Sequence, residues 1–193
     1  MPVDIDTETG LIRQARQVAS SNYDARPEGC APELVVVHAI SLPPGQFGGP
    51  HIEQLFTNSL QPSAHPYFAR IADLRVSAHV LVRRDGELVQ FVPLDQRAWH
   101  AGESCHNGRA ACNDFSIGIE LEGDDETPFT TEQYEQLAAL CLALEPVYPG
   151  IRLDQIVGHC HIAPDRKTDP GPNFDWQQLA ALLGQPARDG VLG

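Results

Sequence analysis

The chain has 193 residues, 42% of them hydrophobic, and carries a formal net charge of −13. That length supports one domain with a substantial core, and the charge argues against a nucleic-acid backbone or an anionic membrane as the main partner. The opening "MPVDIDTETG" has neither a basic start nor an apolar run, so it does not read as a signal peptide, and no stretch approaches the ~20 apolar residues of a membrane span.

Along the chain, "LVVVHAI" (Leu34 to Ile40) is a short β-branched run and reads as a buried strand. The loop "SLPPGQFGGP" follows, and its last residue, Pro50, suits the first turn of a helix that turns Ile52, Leu55 and Phe56 inward. "VSAHVLVRRDGELVQFVP" predicts two strands around a tight turn at Asp85-Gly86. "SIGIELEG" (Ser116 to Gly123) predicts another strand. Thr131 to Leu144 is the clearest helix: Thr130 and Gln133 have capping-box spacing, and Tyr134, Leu137, Cys141 and Leu144 form a stripe. "QIVGH" reads as a short strand ending at His159. Asp175 with Gln178 starts a last helix that Gly184 ends, and the tail after Gln185 is expected to fray. Strands and helices that alternate around one hairpin predict an α/β domain with a mixed sheet.

The five cysteines, Cys30, Cys105, Cys112, Cys141 and Cys160, are odd in number and never in C-x-x-C spacing. Free thiols in a reducing compartment fit them better than a disulfide framework, so the protein is expected to be cytoplasmic. The densest chemistry lies in "GHCHIAPDRKTDPGP" (Gly158 to Pro172), where prolines forbid regular structure. His38 and His159 sit at strand ends and Asp169 lies in this rigid loop. Two imidazoles and a carboxylate make a catalytic zinc set with a fourth position left open. The competing reading, a packed or surface histidine, applies to each alone. His161 is a rival ligand, because two positions apart on a strand it shares a face with His159. Cys160 would then point away from both, which argues against a thiol nucleophile.

Glu120 shares a strand face with Ser116 and Gly118, opposite Ile117, Ile119 and Leu121. A carboxylate among small neighbours is a candidate general base toward a water activated at a metal; a solvent-facing Glu fits the same pattern. Lys167 lies two residues before Asp169, where a fixed ammonium can stabilise an oxyanion, although most lysines are simply surface residues. No nucleophile elbow, P-loop or dinucleotide fingerprint is present.

The stretches "LVVVHAISLPPGQFGGP", "HPYFARIADLRVSAHVLVRRDGELVQFVP", "RAWHAGESC", "CNDFSIGIELEG" and "GHCHIAPDRKTDPGPNFDW" resemble the zinc-dependent N-acetylmuramoyl-L-alanine amidases, in particular the cytoplasmic anhydro-muropeptide amidases of cell-wall recycling. The wider family includes phage lysozyme-type amidases and peptidoglycan recognition proteins. The similarity runs from about Tyr23 to Trp176.

The resemblance implies a single domain over the whole chain, with a core at about 23–184, and a central mixed sheet flanked by helices with Zn²⁺ in a cleft at one side. It implies His38, His159 and Asp169 as ligands, with His161 at a variable position, and Glu120 and Lys167 as catalytic groups. The implied substrate is a small muropeptide bearing 1,6-anhydro-N-acetylmuramic acid, cut between the lactyl carbonyl and L-alanine, with no obligate protein partner. Arg75 and Arg109 are candidates for peptide carboxylates and Trp99 for sugar or cleft packing. Ala39 departs from the Asn usual after the first zinc histidine, and Ala111 from an Arg in some relatives. Both bear on substrate affinity more than on chemistry. Two other readings compete: a fragment-binding module without catalysis, disfavoured because all five site residues are present, and another metal hydrolase such as a deacetylase.

Overall fold

The apolar run that begins at Leu34 becomes a central strand of the computed structural model, which describes residues 3–185. Six strands form its main sheet: β1 (Arg16–Gln17), β2 (Leu34–Ile40), β3 (Val80–Val82), β4 (Leu88–Gln90), β5 (Ser116–Glu122) and β6 (Ile156–Gly158). Their order is β6-β2-β5-β3-β4-β1. The first four lie parallel, β4 runs antiparallel to β3, and β1 is parallel to β4. The sheet is mixed and flanked by helices, as expected.

Alternation along β2 and β5 divides the interior. Val35, Val37, Ile117, Ile119 and Leu121 face α2 (Thr131–Val147) and α4 (Trp176–Leu182), where they pack with Tyr134, Leu137, Cys141, Leu144 and Leu179. The opposite face carries Leu34, Val36, His38, Ser116, Gly118 and Glu120. It is covered partly by a cluster around α1 (His51–Phe56), with Ile52, Leu55, Phe56 and Phe68 against Leu81 and Val89. The uncovered part is the site.

The local signals behave as their chemistry predicts. The Thr130 hydroxyl accepts from the Gln133 backbone N–H, and the Gln133 side chain accepts from the Thr130 N–H, which closes the capping box. Asp175 accepts from the Gln177 and Gln178 backbone N–H groups at the start of α4. Pro50 stands at the N-cap of α1, one place before its expected position.

Three differences have physical reasons. The N-terminal arm, outside the span expected to form the core, supplies β1 and buries Ile5 and Ile12. Its strands are two residues long, below what alternation can reveal. The strand before His159 stops at Gly158, and His159 opens a short helix, α3 (His159–Ile162). Helix α2 runs on to Val147 past its stripe, with Pro146 inside its last turn. The expected frayed tail falls at 186–193, outside the described residues.

Candidate metal centre and active site

Parallel pairing sets Glu120 directly beside His38, and parallel partners share a face, so the carboxyl and the imidazole stand next to each other above the sheet. The next strand, β6, delivers His159 just past its end. Asp169 is brought in by the proline loop, whose backbone is held to α3 by a hydrogen bond from the Cys160 N–H to the Asp169 carbonyl, 2.9 Å. Gly158 permits this approach, because a Cβ there would lie 2.7 Å from the Pro170 Cδ.

The result is a nearly equilateral triangle. His38 Nδ1 and His159 Nδ1 are 3.0 Å apart, and each is 3.1 Å from Asp169 Oδ2. Both imidazoles are buried, at 1% and 2% exposure. Donor atoms at ordinary zinc bond lengths in a tetrahedron are about 3.3 Å apart, so the set is close to a ligating arrangement. His159 Nε2 lies 3.0 Å from the Ala101 carbonyl, which can only accept. That nitrogen therefore carries the proton, and His159 Nδ1 turns a lone pair toward a carboxylate oxygen. Such a convergence is favourable only around a cation, and the residues fit one.

The electrostatics point the same way. Burial holds His38 down at about 4, against the raising effect of the Asp169 carboxylate beside it. Burial would raise the Asp169 carboxyl, but the adjoining His159 and His38 imidazoles overcome it and hold the group below the usual carboxylate range. Glu120 goes the other way: burial, reinforced by the Asp169 charge, pushes its carboxyl well above the ordinary value, and Lys167 opposes this. Its Oε2 is buried and has no hydrogen-bond partner.

These groups line one cleft of about 710 Å³ with Lys167, Ala39, Arg166 and an acidic edge of Asp124, Asp125 and Glu126. Lys167 is half-buried, and its charge acts on both His38 and Glu120. The structure thus brings together His38, His159, Asp169, Glu120 and Lys167.

It does not bring the other candidates to the cleft wall. Arg75 is exposed, between Leu74 and Val76, which do line the cleft. Arg109 stacks 3.8 Å over the Phe115 ring and pairs with Glu33. Trp99 donates its indole N–H to Asp24. Ala111 is exposed away from the cleft, with a left-handed φ of 60°. His161 accepts from the Gly158 N–H and packs against Trp176, so its ring turns away from the triangle. On a helix, residues two apart do not share a face, which removes the strand argument that made His161 a rival.

Sequence reasoning missed His100, whose Nδ1 lies 2.9 Å from His38 Nε2, and Arg166, which donates to the Ala101 carbonyl that also receives His159. Both lie inside stretches that carry the resemblance, but neither has a local pattern that marks it.

A mixed α/β sheet with two imidazoles and a carboxylate converging in an open cleft, beside an ionisable carboxyl and an ammonium, defines a hydrolytic enzyme with a candidate metal centre. Residues 28–172 match the N-acetylmuramoyl-L-alanine amidase family. The chain is 60% identical over 176 residues to the 1,6-anhydro-N-acetylmuramyl-L-alanine amidase AmpD of Citrobacter freundii, covering 91% of this chain and 94% of that protein. A crystal structure of a selenomethionine AmpD derivative superposes with a TM-score of 0.90 at 59% identity, covering 93% and 99% of the two chains. The E. coli amidase AmiD, in complex with anhydro-N-acetylmuramic acid-L-Ala-D-γ-Glu-L-Lys, gives a TM-score of 0.57 at 29% identity, covering 96% and 67%. The chain belongs to the N-acetylmuramoyl-L-alanine amidase family.

Proposed function

We propose that this amidase cuts the amide between the lactyl group of 1,6-anhydro-N-acetylmuramic acid and L-alanine in muropeptides released during peptidoglycan recycling. His38, His159 and Asp169 hold its zinc. The observation that carries the reading is the pairing of Glu120 with His38, which places a carboxyl with an unpartnered oxygen beside the ligand triangle. The substrate class is supported by the AmpD name of relatives that match nearly end to end. A cytoplasmic location is supported by five unpaired cysteines.

When bound, zinc supplies a Lewis acid that polarises the scissile carbonyl and lowers the pKa of water. Glu120 takes a proton from the attacking water and returns it to the amine nitrogen as the C–N bond breaks. Its raised proton affinity suits the second half of that task. Lys167 meets the negative charge that develops on the carbonyl oxygen. At about 710 Å³, the cleft has the size of a small-ligand site.

Mass spectrometry of products from a defined anhydro-muropeptide tests the reading. Free alanyl peptide and anhydro-N-acetylmuramic acid are expected; acetate release would indicate a deacetylase, and binding without turnover by the zinc-loaded protein would indicate a recognition module. Lys167→Gln is expected to lower kcat on the order of 10²-fold, about 3 kcal/mol, with little change in substrate binding. A raised KM with kcat intact would instead make Lys167 a carboxylate-binding residue.

A further inference from the structure

The orientation of His159 is fixed by a backbone carbonyl, whereas nothing so direct fixes His38. Its Nε2 faces another imidazole, His100 Nδ1, at 2.9 Å. Two histidine nitrogens can share one proton in either direction, so this contact alone leaves the His38 tautomer open. The contact is the first step of a chain. His100 Nε2 lies 3.1 Å from the Ser116 hydroxyl oxygen, and that hydroxyl donates to the Cys112 carbonyl at 2.6 Å.

The far end sets the direction. A carbonyl oxygen cannot donate, so the Ser116 proton points at Cys112 and the Ser116 oxygen is left to accept. His100 Nε2 must then carry its proton. In neutral His100 the Nδ1 is a lone pair, which takes the Nε2 proton of His38. What remains on His38 is a lone pair at Nδ1, aimed at His159 Nδ1 and Asp169 Oδ2.

We propose that His100 is a positioning residue that, with Ser116, passes a fixed hydrogen-bond direction from the Cys112 carbonyl to His38 and so presents the Nδ1 lone pair of His38 to the metal. The inference rests on the assignment of His38 as a zinc ligand and extends it to groups that never touch the ion.

Three further features support it. Gly118 makes room for the relay, because a Cβ there would lie 2.5 Å from His100 Nδ1, inside any possible contact. Ser116 is fully buried, so no bulk water competes for its hydroxyl. The backbone at His100 and Ala101 is pinned by the Asn113 side chain, which accepts from both N–H groups at 3.1 and 2.8 Å. Asn113 belongs to the same short turn, Cys112–Asp114, that supplies the terminal carbonyl. One dipeptide therefore orients both imidazole ligands: the His100 side chain directs His38, and the Ala101 carbonyl directs His159. Partners of this kind typically alter metal affinity by about 10–100-fold.

The test compares zinc affinity, by competition with a chromophoric chelator, in the wild-type protein, His100→Leu, His100→Asn and His38→Ala. His100→Leu removes the acceptor and is expected to weaken zinc about 10–100-fold. His100→Asn places an amide oxygen near the position of Nδ1 and is expected to recover most of that loss. Equal losses in both variants would show a packing effect and overturn the relay, as would full affinity in His100→Leu. Retention of zinc by His38→Ala would overturn the ligand assignment itself, and that failure is separate from the other two. Nitrogen-15 NMR of the wild-type protein provides a readout that needs no variant to fold. It should show a proton on His38 Nε2 with nitrogen–nitrogen coupling across the hydrogen bond to His100 Nδ1. A proton found on His100 Nδ1 instead would reverse the direction and refute the proposal.

Discussion

His159→Ala is expected to bind zinc more than about 100-fold more weakly than the wild-type protein and to lose nearly all turnover at limiting zinc. The magnitude follows because partners that only orient a ligand already alter affinity by about 10–100-fold, and loss of a ligand must exceed that. The structural cost should be modest by comparison. His159 is buried at the start of a four-residue helix, and the Ala101 carbonyl it releases keeps its bond from Arg166 at 2.7 Å. His161→Ala is the control, because the ring of His161 packs on Trp176 and faces away from the triangle. Metal analysis of both variants decides the assignment: full zinc in His159→Ala together with loss in His161→Ala would reverse it.

The split between those two histidines shows where sequence reading has reach. Periodicity placed Glu120 on the face opposite Ile117, Ile119 and Leu121, because its seven-residue strand alternates clearly. The apolar run that ends near His38 has no alternation to read, and the face that His38 and Glu120 share follows from the parallel pairing. Periodicity misplaced the turn at His159 because a strand of three residues running straight into a helical turn has no period of its own. Asp169 and Lys167 stood out by composition, but which atoms converge depends on how the loop doubles back on α3, and that is a tertiary matter. The choice of ligand set came from the resemblance; the structure brings the donor atoms of the three residues close together.

His100 shows the opposite limit. It sits after a two-residue ladder between Arg97–Ala98 and Tyr23–Asp24, so no pattern betrays it. Its significance comes from three contacts with residues 16, 13 and 62 positions away. Gly118 was visible as a small residue beside Glu120, but the reason for it, the ring lying over its Cα, was not. Arg75, Arg109 and Trp99 were chosen by type alone. Two of them already have strong structural partners in Glu33, Phe115 and Asp24, so any role in substrate binding requires those contacts to be shared.

Glu120→Gln is expected to keep its zinc and lose about 10²–10⁴-fold in kcat, the usual contribution of a positioned general base. The substitution preserves size and one carbonyl oxygen, so it removes proton transfer with little change in packing. A second, opposite effect should accompany the first. In the zinc-free protein, burial and the Asp169 charge hold the Glu120 carboxyl well above its ordinary value. A carboxyl that binds its proton more tightly when folded than when unfolded opposes folding once it must ionise. Its unfavourable contribution is absent below the unfolded pKa and grows as pH rises toward the folded one. Glutamine has no charge to bury. The zinc-free Glu120→Gln protein should therefore be more stable than the zinc-free wild type, and the gap should be wider at pH 8 than at pH 5. Denaturant unfolding at the two pH values measures the gap, and steady-state kinetics on the zinc-loaded proteins measures the loss. Near-normal kcat in the zinc-replete variant would remove Glu120 from proton transfer. A stability gap that did not change with pH would mean that the carboxyl is ionised in both the folded and the unfolded state over that range, so that its folded pKa is not raised after all. Loss of turnover combined with a gain in zinc-free stability would mark Glu120 as a group kept in an unfavourable place for the sake of the reaction.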